Sequence, residues 1–205
     1  MTVDWHAVLD SVTLIESVAV FAGLFYLILV VFESIWCWFF SLISVTLYFL
    51  IFAENQLWAE VVLQVYYFGT TVYGFYKWKY GGDNDNNPAP IMRAGVRRNL
   101  IFGGIILTGT VGGGFLLDYF ALELFPYLDS FTTVGALVTT WMVTQKYLEN
   151  WLYWIVVNTA GVVLMYKSEL YLTALLFLVY LIIVVFGFLN WIKLYRGQKA
   201  AKEKL

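Results

Sequence analysis

The chain has 205 residues, of which 61% are hydrophobic, 20% aromatic and only 13% charged. A soluble domain is near half apolar and about a quarter charged, so these residues cannot clothe a globular surface, and a mean hydropathy of +0.76 agrees. A soluble enzyme, a disordered tail and a nucleic-acid binder all fit poorly. So does a disulfide scaffold, because Cys37 is the one cysteine. The formal charge of -2 says little as a sum; its placement along the chain says more.

In chain order, apolar stretches fall at about residues 12–32, 35–53, 57–77, 98–118, 130–147, 150–166 and 170–192. Each, with its flanks, suits a hydrocarbon core of about 30 Å, which takes roughly 17–25 helical residues. Strand alternation is absent, so helices satisfy the backbone. The expected fold is an all-α membrane protein of seven transmembrane helices. The opening MTVDWHAVLD has no basic region and does not read as a cleaved signal peptide. Residues 79–97, rich in Asn, Asp, Gly and Pro, form the one clear linker.

Seven crossings divide the cations unevenly. One side receives Lys77, Lys79, Arg93, Arg97, Arg98, Lys146, Lys193, Arg196, Lys199, Lys202 and Lys204, and the other only Lys167. Basic residues collect on the cytoplasmic side. This predicts the N-terminus outside, with the linker and the basic tail 193–205 inside. The tail reads as a topology anchor or, alternatively, a lipid-headgroup site.

Two segments repeat. Tyr67, Tyr73-Gly74-Phe75 and Trp78 recur at the same spacing as Tyr180, Phe186-Gly187-Phe188 and Trp191. Upstream, Glu33 precedes Trp38 as Glu149 precedes Trp154, with the offset drifting from 113 to 116. On that drifting offset Trp154 matches Trp38, Trp151 falls on Ile35, and Asn158 on Leu42. The expectation is one three-helix unit present twice, over about 12–78 and 130–192, with the linker and a connecting helix over about 79–125. The extra crossing restores orientation and gives parallel repeats, a 3+1+3 plan shared with carriers that bind substrate between the copies and rock around it. Aromatic-Gly-Trp signals also recur by chance in aromatic-rich membrane chains.

Polar residues inside the spans are the candidate ligand contacts. Trp151, Trp154 and Asn158 stand at i, i+3 and i+7 and share one helix face. Indoles can sandwich a flat heterocycle, and an amide donates and accepts hydrogen bonds. Trp151 equally fits an interfacial belt. Gln64 must face protein or a wet cavity. Tyr67 and Tyr180 offer rings with polar tips. Thr139, Thr140, Thr144 and Gln145 make the fifth span polar, though threonine hydroxyls also bond their own helix backbone. Trp38 joins the candidates through the repeat. Glu33 and Glu149 fit structural caps or ion pairs, while Glu16 leaves proton coupling open. Gly109 and Gly113 form a small-xxx-small pair for close helix approach. No P-loop lysine follows the glycines, and His6 with Cys37 makes no metal set. The chain is therefore not expected to be an enzyme, and no cofactor is expected.

The stretch KYLENWLYWIVVNTAGVVLMYKSELYLTALLFLVY, followed by FGFLNW, and the earlier YYFGTTVYGFYKW resemble the PnuC family of vitamin-precursor carriers. That family's WxxW followed by Asn stands here as Trp151, Trp154 and Asn158. The resemblance covers nearly all of the chain beyond the first span. It implies a SWEET-like fold of parallel three-helix bundles, a homotrimer in the bacterial inner membrane, and facilitated uptake of nicotinamide riboside. Phosphorylation by a separate kinase would pull that uptake. The Pro-Gln motif of sugar-carrying SWEETs is missing, since Pro88, Pro90 and Pro126 lie in other contexts. Relatives with the same pattern carry thiamine or riboflavin, so those substrates stay open. A membrane scaffold or sensor, whose aromatic helices only pack, is the alternative from a different class.

Overall fold

The structure is a computed structural model that describes residues 14–82 and 88–202. The N-terminal stretch with His6, part of the linker, and Lys204 lie outside the described residues. Among the described residues seven α-helices follow in order: α1 Leu14–Val31, α2 Cys37–Glu54, α3 Trp58–Tyr80, α4 Gly95–Tyr119, α5 Pro126–Thr144, α6 Asn150–Lys167 and α7 Tyr171–Lys202. Among the described residues α1, α2, α4 and α7 are long and apolar enough to cross a membrane on length and composition alone. The other three, of 23, 19 and 18 residues, have the length but carry more polar groups. Large apolar side chains such as Phe21, Leu50, Val62, Leu107, Ile182 and Phe186 lie exposed on the helices. In water that surface would aggregate; in lipid it is solvated. The chain is a multi-pass membrane protein.

The helix ends explain how so apolar a chain turns sharply. Five helices finish on a residue with positive φ: Glu33, Gln56, Ala121, Lys146 and Glu169, at 56°, 59°, 48°, 52° and 62°. At each, the next amide reaches back five residues, as in Ser34 N to Leu29 O at 3.0 Å and Leu170 N to Met165 O at 2.9 Å. This is the Schellman closure, which satisfies the last carbonyls of a helix. Glycine usually fills the left-handed position, yet here every one of these five has a Cβ. Ala121 has no further side-chain role, so Ala121→Gly is expected to raise stability by about 0.5–1 kcal/mol. The same change inside α5, Ala136→Gly, is expected to lower it by ~1 kcal/mol. Thermal unfolding in detergent checks both.

The fold divides into two compact units within α3, one up to Tyr76 and the other from Lys77. In the first, α1 packs on α2. Gly23 brings α1 close to Ser44, whose hydroxyl donates to Ala19 O at 3.0 Å. Ser41 and Thr71 share a buried hydrogen bond of 2.6 Å. The indole of Trp38 lies on Gly74, where any Cβ would overlap its ring. In the second unit α4, α5, α6 and α7 pack in sequence order. Gly109 meets Val134, Gly113 meets Ser130, and Ser130 Oγ donates to Gly109 O at 3.2 Å. The small-residue pair thus serves close helix contact. Trp151 lies on Gly187 as Trp38 lies on Gly74, again with no room for a Cβ.

These local features recur at a constant spacing. Glu33 and Lys146, Trp38 and Trp151, Gln56 and Glu169, Gly74 and Gly187, and Trp78 and Trp191 are all 113 residues apart. The first four pairs share a turn or a contact of the same kind. The matches of Trp38 with Trp154 and of Glu33 with Glu149, three residues longer, do not share these turns and contacts among the described residues. On the constant offset Trp154 stands opposite Ser41, and Asn158 opposite Val45. The acid-to-tryptophan spacing pairs Glu33 with Glu149, whereas the left-handed turn that Glu33 takes falls on Lys146 in the second segment.

The second half of the linker is not slack. Ala89 N bonds Trp78 O at 3.0 Å, and Met92 pairs with the turn after α5 through Met92 N to Lys146 O and Leu148 N to Met92 O. Lys146 is buried; its ammonium donates to Ala89 O at 2.8 Å and stands 4.5 Å from the centre of the Trp78 ring. Glu149 accepts from Ala94 N at 2.9 Å, ahead of α4, and from the exposed Arg93 at 3.4 Å. That is the capping and ion-pair role expected of Glu149. The basic segment after 192 also departs from a loose tail. It continues α7 as far as Lys202, and Gln198 Oε1 accepts from Ile91 N at 3.1 Å.

Candidate substrate site

A ligand site inside a membrane needs polar groups that the helices have not already consumed, because unmet donors and acceptors are costly in lipid. Hydrogen bonding sorts the candidates by this test. Thr139 donates to Gly135 O at 2.7 Å and Thr144 to Trp141 O at 2.7 Å, so both hydroxyls are spent on their own helix. Half-buried Thr140, between them, makes no such bond. Gln64, Tyr67 and Tyr180 are likewise half-buried, with no side-chain hydrogen bond among the described residues.

On α6, Asn158 is buried and donates one amide hydrogen to Trp154 O at 2.8 Å. An amide has two donors and a carbonyl acceptor, so one hydrogen and the oxygen are left over. Trp154, one turn away, is half-buried. This pair can therefore offer an aromatic surface and a two-way hydrogen-bonding group on one face. Trp151 shares the face, but only 1% of it is exposed; it packs on Gly187 and meets Trp191 edge-on at 5.5 Å. Trp38, 2% exposed, packs on Gly74 and lies 6.1 Å from the Tyr26 ring. Close helix contact covers both indoles, so both rings pack the helices together. Periodicity shows which residues share a face, not which of them a neighbouring helix covers.

Two grooves complete the geometry, one in each unit. In the first unit a groove of about 280 Å³ is lined by Val45, Thr46, Phe49, Gln64, Val65 and Phe68. Gln64 supplies its one amide. In the second unit a groove of about 400 Å³ lies among α4, α5 and α6, with Gly103, Leu107, Phe131, Leu152 and Val156 in its wall. Residues 152 and 156 lie on the opposite side of α6 from 154 and 158. Its lining is nearly all apolar, which suits hydrocarbon and not a hydroxylated solute.

Residues 13–193 match the family model for the nicotinamide mononucleotide transporter. The chain belongs to that family. It is a transporter family, and the chain is not an enzyme. The nicotinamide riboside transporter PnuC of Escherichia coli (strain K12) is 29% identical over 202 residues, covering 87% of this chain and 84% of the relative. PnuC of Neisseria mucosa is 28% identical over 193 residues, with 88% and 72% covered. The riboflavin/roseoflavin transporter RibM of Streptomyces davaonensis is 24% identical over 162 residues, with 78% and 75% covered. The crystal structure of the vitamin B3 transporter PnuC superimposes with a TM-score of 0.67 at 26% identity, covering 93% of this chain and 85% of that one. The resemblance to PnuC read from the tryptophan and asparagine pattern is thereby established at the level of family and fold.

Proposed function

We propose that this protein takes up nicotinamide riboside across the bacterial inner membrane by facilitated diffusion, with Trp154 and Asn158 in contact with the substrate. The observation that carries the reading is their shared face on α6, where Asn158 keeps an amide hydrogen and its carbonyl oxygen unspent. A carboxamide is met by an amide of this kind, and the cationic pyridinium ring of the riboside is met by an indole, the strongest cation–π partner among side chains. The riboside suits the chain better than its phosphate ester. Between their terminal turns α1–α6 carry no Lys or Arg to receive a phosphate, and the cations of α7 begin only at Lys193. Thr140, Tyr180, Gln64 and Tyr67 are the further contacts in this reading, and Trp38 and Trp151 hold the helices that present them.

The architecture in this reading is the 3+1+3 plan. α1–α3 and α5–α7 are parallel copies, α4 is the connecting crossing, the N-terminus is outside, and the C-terminus is inside. Support comes from the 113-residue recurrence of turns and Trp–Gly contacts and from the one-sided cations. Alternating access by rocking of the copies fits such a plan. A separate kinase that phosphorylates the riboside inside the cell would keep the gradient inward. A homotrimer within membrane lipid is the assembly that accompanies this reading.

A thermal-shift panel tests the substrate. Nicotinamide riboside at 100 times its Kd is expected to stabilise the purified protein by roughly 2.7 kcal/mol, with thiamine and riboflavin inert at the same concentration. Stabilisation by riboflavin alone would instead transfer the substrate of the RibM relative to this chain. No saturable shift with any of them would favour a scaffold.

A further inference from the structure

The apolar groove of the second unit has no part in the uptake reading. Its wall starts at Leu152, in the first turn of α6, and on α4 it reaches Thr110, just past the middle of that helix. The groove therefore leads from one membrane boundary to about the midplane, the depth of one leaflet, roughly 15 Å. Gly103 keeps the wall open, since a Cβ there meets no atom within 4 Å. The hydroxyl of Thr110 is buried, so the surface left to a ligand is hydrocarbon.

The mouth of the groove is polar and cationic. Glu149, Leu152, Tyr153 and Val156 stand at i, i+3, i+4 and i+7, so the face of α6 that lines the groove leads back to Glu149 and its partner Arg93. Across the mouth, Tyr153 donates its hydroxyl to Asn99 O at 3.1 Å, one turn before Gly103 on α4. Arg93 meets Glu149 only through Nε, at 3.4 Å, and its side chain is 67% exposed, which leaves both terminal guanidinium nitrogens open. Arg97 is exposed and has no ion pair among the described residues. Arg98, also exposed, lies over the Tyr147 ring at 5.4 Å. Three guanidinium groups thus stand against one carboxylate, and Ala94 N already shares that carboxylate.

We propose that this groove binds an anionic phospholipid, with one acyl chain along the α4–α6 wall and the phosphate on Arg93 and Arg97. A hydrocarbon wall that ends in unneutralised arginines at a membrane boundary matches a molecule that is apolar along its length and anionic at one end. Guanidinium groups bind phosphate oxygens in a fork, and each cation beside a membrane segment is worth about fivefold in affinity for an anionic headgroup. The site lies wholly within the second unit and uses neither Trp154 nor Asn158.

Native mass spectrometry of the purified full-length protein, titrated in detergent with dioleoyl phosphatidylglycerol or dioleoyl phosphatidylcholine, measures affinity for the first lipid bound. Phosphatidylglycerol is expected to bind about 20-fold more tightly than phosphatidylcholine. Arg93→Gln with Arg97→Gln is expected to abolish that preference and leave phosphatidylcholine affinity as it was. The variant should fold, because an exposed ion pair contributes little and Glu149 keeps Ala94 N. Gly103→Leu places a side chain in the open groove and is expected to weaken both lipids by the same factor, with the preference between them retained. Free glycerol phosphate is expected not to displace the lipid. Equal affinity of wild type for the two lipids would overturn the proposal, as would unchanged lipid affinity in Gly103→Leu. Displacement by glycerol phosphate would instead mark a site for soluble anions, and an altered oligomeric mass in Gly103→Leu would give the groove to a second copy of the chain; either result overturns the lipid assignment.

Discussion

Replacing Trp154 and Asn158 together with alanine is expected to weaken nicotinamide riboside binding by about 30- to 4000-fold while the protein still folds. The amide accounts for roughly 1–3 kcal/mol, because a buried ligand group loses its hydrogen-bond partner, and the indole contributes roughly another 1–2 kcal/mol through the cation–π contact. Each 1.4 kcal/mol is about tenfold in affinity. Folding should survive because the helix contacts of α6 are made by other residues. Trp151 packs on Gly187 and Gly161 meets Phe177, whereas Trp154 is half-buried and Asn158 bonds only its own helix. Thr139→Ala is the contrast within the same unit. Its hydroxyl is consumed by Gly135 O, so riboside affinity should stay within about twofold of wild type. Titration calorimetry on the purified variants measures both, and equal losses for the two would remove the basis for choosing among the polar residues by their hydrogen bonding.

Gly187→Ala and Gly74→Ala are expected to be the most damaging single-methyl changes in the chain. A Cβ at either position overlaps an indole, of Trp151 and of Trp38 respectively, and both rings are nearly fully buried with little freedom to retreat. Forcing extra volume into such a contact costs about 1–3 kcal/mol. The two contacts are counterparts at 113 residues, so the two variants should lose similar amounts, each within its own unit. Gly103→Ala and Gly104→Ala on α4 are the controls. No atom lies within 4 Å of a Cβ there, and alanine is the better helix former by roughly 1 kcal/mol, so neither should destabilise. Melting temperatures in one detergent compare all four. A Gly187→Ala protein as stable as wild type would show that the indole yields and that the Trp–Gly contact does not hold α6 to α7.

The helices were legible because lipid imposes a simple rule: an apolar stretch of sufficient length must become a helix. Predicted and observed segments agree closely for the first four and the sixth. The fifth begins earlier than expected because Pro126, suited to the first helical turn, starts it ahead of the apolar run. The seventh runs on to Lys202 because Gly197 is its one weak helix former beyond the membrane segment and Gln198 ties it to Ile91. The Trp–Gly contacts that recur 113 residues apart were legible as matched tryptophans and glycines, whereas the left-handed turns at Glu33 and Lys146, also 113 apart, share no common side chain and left no signal.

The candidate contacts of the proposed site were legible to the extent that polar residues in a span are rare. Trp154, Asn158, Thr140, Gln64, Tyr67 and Tyr180 all emerged from that rarity. The sequence could not separate Thr140 from Thr139, or Trp154 from Trp151, because the distinctions depend on which hydroxyl bonds its own backbone and which indole a neighbouring helix covers.

The most direct test of the account is uptake of radiolabelled nicotinamide riboside into proteoliposomes that contain this protein alone, with no ATP, ion gradient or membrane potential. Saturable entry that stops when the inside and outside concentrations are equal, that unlabelled riboside inhibits, and that is lost in the Trp154→Ala, Asn158→Ala protein is the predicted result. Entry no faster than into protein-free vesicles, or accumulation above the outside concentration only when an ion gradient is imposed, would contradict facilitated diffusion by this chain.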